Sequence, residues 1–410
     1  MARTRQGRGP PLIGTILEDR DEGWALAPVI DWLFQEGRFL ADSNELVRLL
    51  GLRLVEAGAP VIRIRVMMRT LHPLQTGWSA SWDIEGGLER DNMAPYGLEQ
   101  QPSYIGSPFE YVARTRQAFR RRLEEGLTPS DHSILHEFAS RGGTDYVLLP
   151  TPLVSGQLSV LALVTDRAGG FTPADLRKME SLAMALSPIL DAVASRRLAH
   201  TVATTYLGPH SGARVLEGRI RRGDAEVIRA AIWFSDLRDW SRIANERPAS
   251  EAIDLANSYF EIVDGAISEA GGEVLKLIGD AVLAIFPVGG DAQAPCRAAI
   301  TAAEAAQQRA QGSRKPLAFG VGLHLGEIVY GNVGSPSRLD FTVMGQAVNL
   351  TARIEKLSRS LDHPIILSAP LALASGLSCV DLGCHPIAGW EEAVQVFGPP
   401  QGPAGPPLAR

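Results

Sequence analysis

Cysteine is scarce in this chain. Cys296, Cys379 and Cys384 are the only three in 410 residues, an odd number without paired metal-ligand spacing. That excludes a disulfide scaffold or zinc ribbon and leaves reduced thiols of a cytoplasmic protein as the expectation. No apolar run approaches the ~18–20 residues that span a bilayer, so no membrane partner is expected. The basic start, residues 1–11, is followed by no apolar core of the kind a secretory signal carries. Positive charge is not in surplus either: a formal net charge of −6 argues against binding nucleic acid through bulk electrostatics. What is present is ordinary globular composition, 45% hydrophobic and 21% charged, at a length comfortable for two domains.

Local punctuation divides the chain. Residues 1–27 read as a disordered polar lead and 399–410 as a Pro- and Gly-rich disordered tail. Residues 28–196 read as one α/β unit. It has helical patterning from Asp31 to Glu56, strand-like segments at Val61–Met67, Ser79–Asp83, Tyr146–Pro150 and Leu158–Thr165, and a closing helix from Pro173 to about Ala199 with Thr172 as its N-cap. Residues 197–224 are expected to be a linker. From 225 to 398 the signals are sharper. A strand at Glu226–Phe234 precedes a helix opened by Ser250 and Glu251, with Ile253, Ala256, Phe260, Val263 and Ile267 at helical spacing and Gly271-Gly272 as its stop. Val274–Ile278 and Ala281–Phe286 flank a Gly-Asp turn, a hairpin signal. An Ala-rich helix over 291–311 and strands at Leu317–Leu325 and Ile328–Val333 follow. The order βαββαβ predicts a ferredoxin-like arrangement, and the fold class expected for the chain is α+β.

Asp236 and Asp280 carry the chemistry. Each sits at the end or tip of an otherwise apolar strand pattern, where a carboxylate is useful if it meets a cation. Two such carboxylates converging can hold Mg²⁺ against a triphosphate. Lys276 interrupts the apolar run Val274–Ile278. Its ammonium only donates, which suits the N1 acceptor of adenine and not the protonated N1 of guanine. Asn349 and Arg353 lie four apart and share one helical face, off the stripe Ala347, Leu350, Ile354 and Leu357 expected to form that helix's core.

Four segments in this order resemble the class III nucleotidyl cyclase catalytic domain: Phe-Ser-Asp-Leu-Arg at 234–238, Lys-Leu-Ile-Gly-Asp at 276–280, Gly-Leu-His-Leu-Gly-Glu-Ile-Val-Tyr-Gly-Asn-Val-Gly at 322–334 and Thr-Val-Met-Gly-Gln-Ala-Val-Asn-Leu-Thr-Ala-Arg at 342–353. The resemblance implies conversion of ATP to 3′,5′-cyclic AMP and pyrophosphate, with two Mg²⁺ (or Mn²⁺) ions per active site. Asp236, Asp280 and the backbone carbonyl of Leu237 match the metal positions. Lys276 and Thr342 match the base-reading positions, threonine at the latter marking the class IIIb subgroup. Asn349 matches the residue that orients the ribose, and Arg353 the one that stabilises the phosphate oxygens. In the family the site is shared across a dimer interface, so a homodimer with two equivalent sites is implied. Residues 28–196 resemble the GAF sensor domains through element order and Gly-Gly-Phe-Thr-Pro-Ala-Asp-Leu before a long helix, which implies regulation by a small molecule or ion that the sequence does not specify.

Two departures stand out. Asp239 and Trp240 occupy the positions where relatives have Gly and Phe in the phosphate loop, and Ala388 stands where many have Lys or Arg. Weakened substrate affinity, or substitution by Arg338, is the expectation. A guanylate cyclase and a catalytically silent nucleotide-binding regulator are the alternatives. His132 and His136, at i,i+4, are expected to be ordinary core or surface residues. Trp78 and Trp82 are expected to pack against a sheet, Arg114, Arg116, Arg120, Arg121 and Arg122 to form a solvated helix face, and His324 to pack structurally.

Overall fold

Strands and amphipathic helices sort into two units, one ending at Thr201 and the other beginning at Val202. The computed structural model describes residues 23–73, 75–154 and 156–400. Most of the expected disordered lead (1–27) and tail (399–410) lies outside the described residues. The part of the lead that is described is core: Trp24 and Leu26 are buried, and the Trp24 indole donates to Asp175 at 3.0 Å.

In the first unit, the helical stretch expected from Asp31 to Glu56 is two helices, α1 (Ala27–Gln35) and α2 (Ser43–Glu56), separated by a 3₁₀ turn at Gly37–Phe39. The Asp42 carboxylate accepts from the Asn44 N–H and caps α2, so the break is written in a capping residue. Strands β1 (Arg63–His72), β2 (Gln75–Asp83) and β3 (Gly87–Pro95) precede α3 (Pro108–Thr115) and β4 (Phe119–Arg122). After them come α4 (Ser133–Ser140), β5 (Asp145–Pro152) and β6 (Leu158–Thr165). The sheet runs β3-β2-β1-β6-β5-β4, antiparallel throughout. Alternation of side chains sends the two faces to separate cores. Ile64, Val66, Trp78 and Trp82 join residues of α1, α2 and the long helix α5 (Pro173–Leu207), while Tyr146, Leu148 and Val160 join Val112, Leu135 and Phe138 of α3 and α4. Thr172 and Asp175 cap α5 reciprocally: the Asp175 N–H donates to Thr172 Oγ1 at 3.2 Å, and the Thr172 N–H to Asp175 Oδ2 at 2.8 Å. The expected linker is largely helical, because α5 continues to Leu207 and α6 (Pro209–Leu216) follows after Gly208.

The second unit is built on β7 (Ala225–Leu237), α7 (Trp240–Glu246), α8 (Ala249–Glu269), β8 (Glu273–Ile278), β9 (Ala281–Pro287), α9 (Gln293–Gly312) and β10 (Phe319–Ser335). These strands lie in the order β10-β7-β9-β8, with all neighbours antiparallel, so the βαββαβ chain has the expected ferredoxin-like sheet. The two strands expected between Leu317 and Val333 are one, β10, paired with β7 from Phe319–Leu237 to Gly331–Ala225. Beyond it come β11 (Arg338–Met344), α10 (Gln346–Ser360), β12 (Ile365–Ser368), α11 (Ala369–Ser375), β13 (Val380–His385) and β14 (Val394–Gly398). β12 pairs in parallel with β10, and β11 folds back on it as a hairpin. Helices α8 and α9 share one core with the sheet. The small side chains Ala299, Ala302, Ala303 and Ala306 are all buried, which lets α9 approach closely, and Trp233 is fully buried beneath. The buried stripe of α8 is Ala252, Leu255, Ala256, Tyr259, Val263, Ala266 and Ile267; Ile253, expected inside, is exposed.

Candidate active site

Register brings the two aspartates together. Asp236 is the residue before last in β7 and is paired with Ala281 of β9. The β8–β9 hairpin closes on Gly279 and Asp280, with Gly279 at φ 65°, a value that glycine reaches without strain. Asp280 therefore stands directly beside Asp236. The consequence is electrostatic. Burial, then the neighbouring Asp280 carboxylate, push the Asp236 carboxyl up to about 7; Glu355 adds to the shift and Arg238 opposes it. Asp236 Oδ1 is buried and has no hydrogen-bond partner among the described residues. An unpartnered carboxylate oxygen facing a second carboxylate fits a divalent cation. Among the described residues no group of three or more His, Cys, Asp and Glu side chains is arranged to hold a metal ion. Leu237 contributes its side chain to the core and pairs with Phe319.

The strand end is held from behind. Ser235 accepts from the Trp233 indole at 2.9 Å and bonds the Tyr259 hydroxyl at 2.7 Å, both buried. His324 of β10 is also buried, its Nδ1 2.8 Å from Ser368 Oγ, and burial pushes its pKa down to about 4. It packs structurally, as expected.

Lys276 lies at a register shift in β8 and forms an ion pair with Asp340 of β11. Thr342 is two residues along the same strand, so Asp340 and Thr342 share a face. Asp340 was missed in the sequence; the period of two leading back from Thr342 is the signal that could have found it. Asn349 and Arg353 are exposed on α10, and neither side chain has a hydrogen-bond partner among the described residues. Among the described residues no hydrogen bond or ion pair joins either side chain directly to Asp236 or Asp280. The buried stripe of α10 is Thr351, Ile354, Glu355 and Ser358, so the expected apolar core face is corrected: Ile354 is buried as expected, Ala347, Leu350 and Leu357 are only half-buried, and three polar residues are sealed instead. Burial pushes the Glu355 carboxyl up, against the influence of Arg238 and Ser358.

Elsewhere the remaining sequence features resolve simply. His132 Nδ1 accepts from the Ile134 N–H, and His136 Nε2 lies against the Thr128 carbonyl, so the two imidazoles have separate partners. Arg120, Arg121 and Arg122 lie on strand β4, not on a helix, and pair with Asp145, Asp131 and Glu124. No described helix is long and apolar enough to cross a membrane.

Comparison with known proteins finds similarity in the second unit. Residues 225–375 match the family model of the adenylate and guanylate cyclase catalytic domain. The chain is 33% identical over 194 residues to an adenylate cyclase of Anabaena cylindrica (43% of this chain, 38% of that protein). It is 30% identical over 186 residues to the terminal-differentiation specific adenylate cyclase of Dictyostelium discoideum (43% of this chain, 9% of that protein). It thus spans less than two-fifths of either relative. Among solved structures, the adenylyl cyclase CyaB from P. aeruginosa is 26% identical, with 44% of this chain and 97% of that chain covered at a TM-score of 0.39. The guanylyl cyclase Cya2 is 27% identical, with 44% and 96% covered at a TM-score of 0.36. The second unit carries a class III adenylyl/guanylyl cyclase catalytic domain.

Proposed function

We propose that the chain is an adenylate cyclase, converting ATP to 3′,5′-cyclic AMP and pyrophosphate at two equivalent sites of a homodimer. The observation that carries the reading is the meeting of Asp236 and Asp280, with a buried oxygen left unsatisfied, on a sheet that also presents Lys276 beside Asp340 and Thr342. Asp236, Asp280 and the Leu237 carbonyl would hold two Mg²⁺ or Mn²⁺ ions, which would acidify the ribose hydroxyl and neutralise triphosphate charge. The Lys276 ammonium donates to adenine N1 and the Thr342 hydroxyl accepts from the 6-amino group. Asn349 orients the ribose. The Arg353 guanidinium, whose fork matches phosphate oxygens, meets the charge that develops on them.

A site shared between two chains is favoured by what α10 leaves free. Asn349 and Arg353 are exposed and have no side-chain partner among the described residues, and the large apolar side chains Leu277, Ile278 and Met344 beside Asp280 and Thr342 are exposed too. The first unit acts as a GAF-like sensor. It has a partly open pocket of about 520 Å³ whose lining includes Met67, Tyr104, Phe109, His132, Phe138 and Tyr146, a size and character suited to a small regulator. The test is turnover of ATP and GTP by purified protein with Mg²⁺ or Mn²⁺. Cyclic AMP formation at least tenfold above cyclic GMP is expected; preference for GTP, or binding of ATP without turnover, would overturn the reading.

A further inference from the structure

In the shared-site reading, Asp236 on β7 and Arg353 on α10 serve different active sites, yet one cluster within the chain ties these elements together. Arg238, directly after Leu237, donates to Ser358 Oγ of α10 and lies 3.8 Å from the Glu355 carboxylate. Glu355 is 3% exposed and Ser358 2%. A buried carboxylate sharing a guanidinium and a hydroxyl is tolerable only while all three keep their places, because the loss of one partner strands a desolvated charge. Gly320, the register partner of Asp236, makes the room: a Cβ there would collide with the Glu355 and Ser358 side chains and stand 2.7 Å from Arg238 Nη2. At the surface the same helix makes a second link. Arg359 donates to Asp239 at 2.9 Å, so the carboxylate that departs from the family's phosphate loop is engaged by α10.

We propose that Arg238, Glu355 and Ser358 are positioning residues that clasp the helix of Asn349 and Arg353 to the strand end of Asp236, holding the Arg238 guanidinium off the Asp236 carboxylate. Resting on the shared-site reading, the clasp joins half of one active site to half of the other. Disturbance at either half is then felt at both.

Two measurements test it. The first is Mn²⁺ binding to the full-length protein without nucleotide, followed by the paramagnetic signal of the free ion. Released by Glu355→Gln, Arg238 turns to Asp236 and competes with the cation, so the dissociation constant rises about tenfold; Ser358→Ala, a smaller change less harmful to folding, raises it about threefold. Unchanged binding in both variants would overturn the clasp. The second uses mixed dimers of Asp236→Ala and Arg353→Ala chains, which hold one intact site. Glu355→Gln added to either chain is expected to lower turnover at least fivefold, since one chain lends the intact site its helix and the other its strand end. An effect confined to one chain, or to neither, refutes the coupling. A reference mixture with no activity would instead count against the shared site, and the Mn²⁺ titration would decide the clasp by itself.

Discussion

Asp236 is held where burial and the Asp280 carboxylate both oppose its charge. Its folded-state pKa is raised to about 7 against an ordinary 3.8, so without metal its contribution to stability is fully present below about pH 4 and is lost as pH rises through 7. Asp236→Asn should therefore raise the melting temperature of the metal-free protein at pH 8, remove the stabilisation that Mn²⁺ gives the parent, and abolish turnover; calorimetry with and without Mn²⁺ checks all three. His324 runs the other way. Burial depresses its pKa to about 4 from 6.5, so the stability it preserves is present above pH 6.5 and is lost as pH falls through 4. Between pH 7 and pH 5 that loss is about 2 kcal/mol, and denaturant melts of the parent and His324→Leu should show it as a slope missing in the variant. Lys276 stood out in the sequence as a candidate base reader because a donor-only group interrupts an apolar strand. Its partner Asp340 did not, because an ion pair between β8 and β11 joins residues 64 apart. Lys276→Glu should cut cyclic AMP formation by about a hundredfold, as losing a charged donor in the base pocket costs about 1.5–3 kcal/mol, and the ratio of ATP to GTP turnover measures it.

Helix α10 shows how far periodicity reaches. Its existence and the shared face of Asn349 and Arg353 were readable from spacing four apart. The sealed face was not, because Thr351, Glu355 and Ser358 are polar and are buried against β10 and Arg238, neighbours that no local pattern reveals. Close backbone approach is the other hidden term. A Cβ at Gly322 would lie 2.6 Å from the Glu355 backbone nitrogen and 2.7 Å from the Thr351 carbonyl oxygen. Gly322→Ala should thus push α10 off β10, destabilise the second unit by about 1–3 kcal/mol, and lower turnover further than the lost stability alone; urea melts beside activity assays separate the two. The hairpin around Gly279-Asp280, by contrast, was visible in two residues, since turn chemistry is local.

At the scale of the molecule, two units with separate cores are joined through α5, which begins in the first and has its last residues in the second. If the first unit restrains the catalytic one, residues 197–410 alone should turn over ATP faster than the full chain, and assay of both forms gives the direction of regulation. Mixing Asp236→Ala with Arg353→Ala should restore up to a quarter of parental activity for random pairing into equivalent shared sites; no recovery in any mixture would remove the homodimer from the mechanism.

The chain's own order of residues was enough to determine the strand and helix alternation of the second unit, the Gly-Asp turn, the capping of α5 by Thr172 and the pair of carboxylates, because each is set by neighbours within a few positions. The tertiary structure alone decided that Asp236 meets Asp280, that Lys276 pairs with Asp340 and that Glu355 is sealed on the inner face of α10. Those outcomes depend on which strands lie side by side and in what register, and register is settled only when the faces of a sheet find their cores.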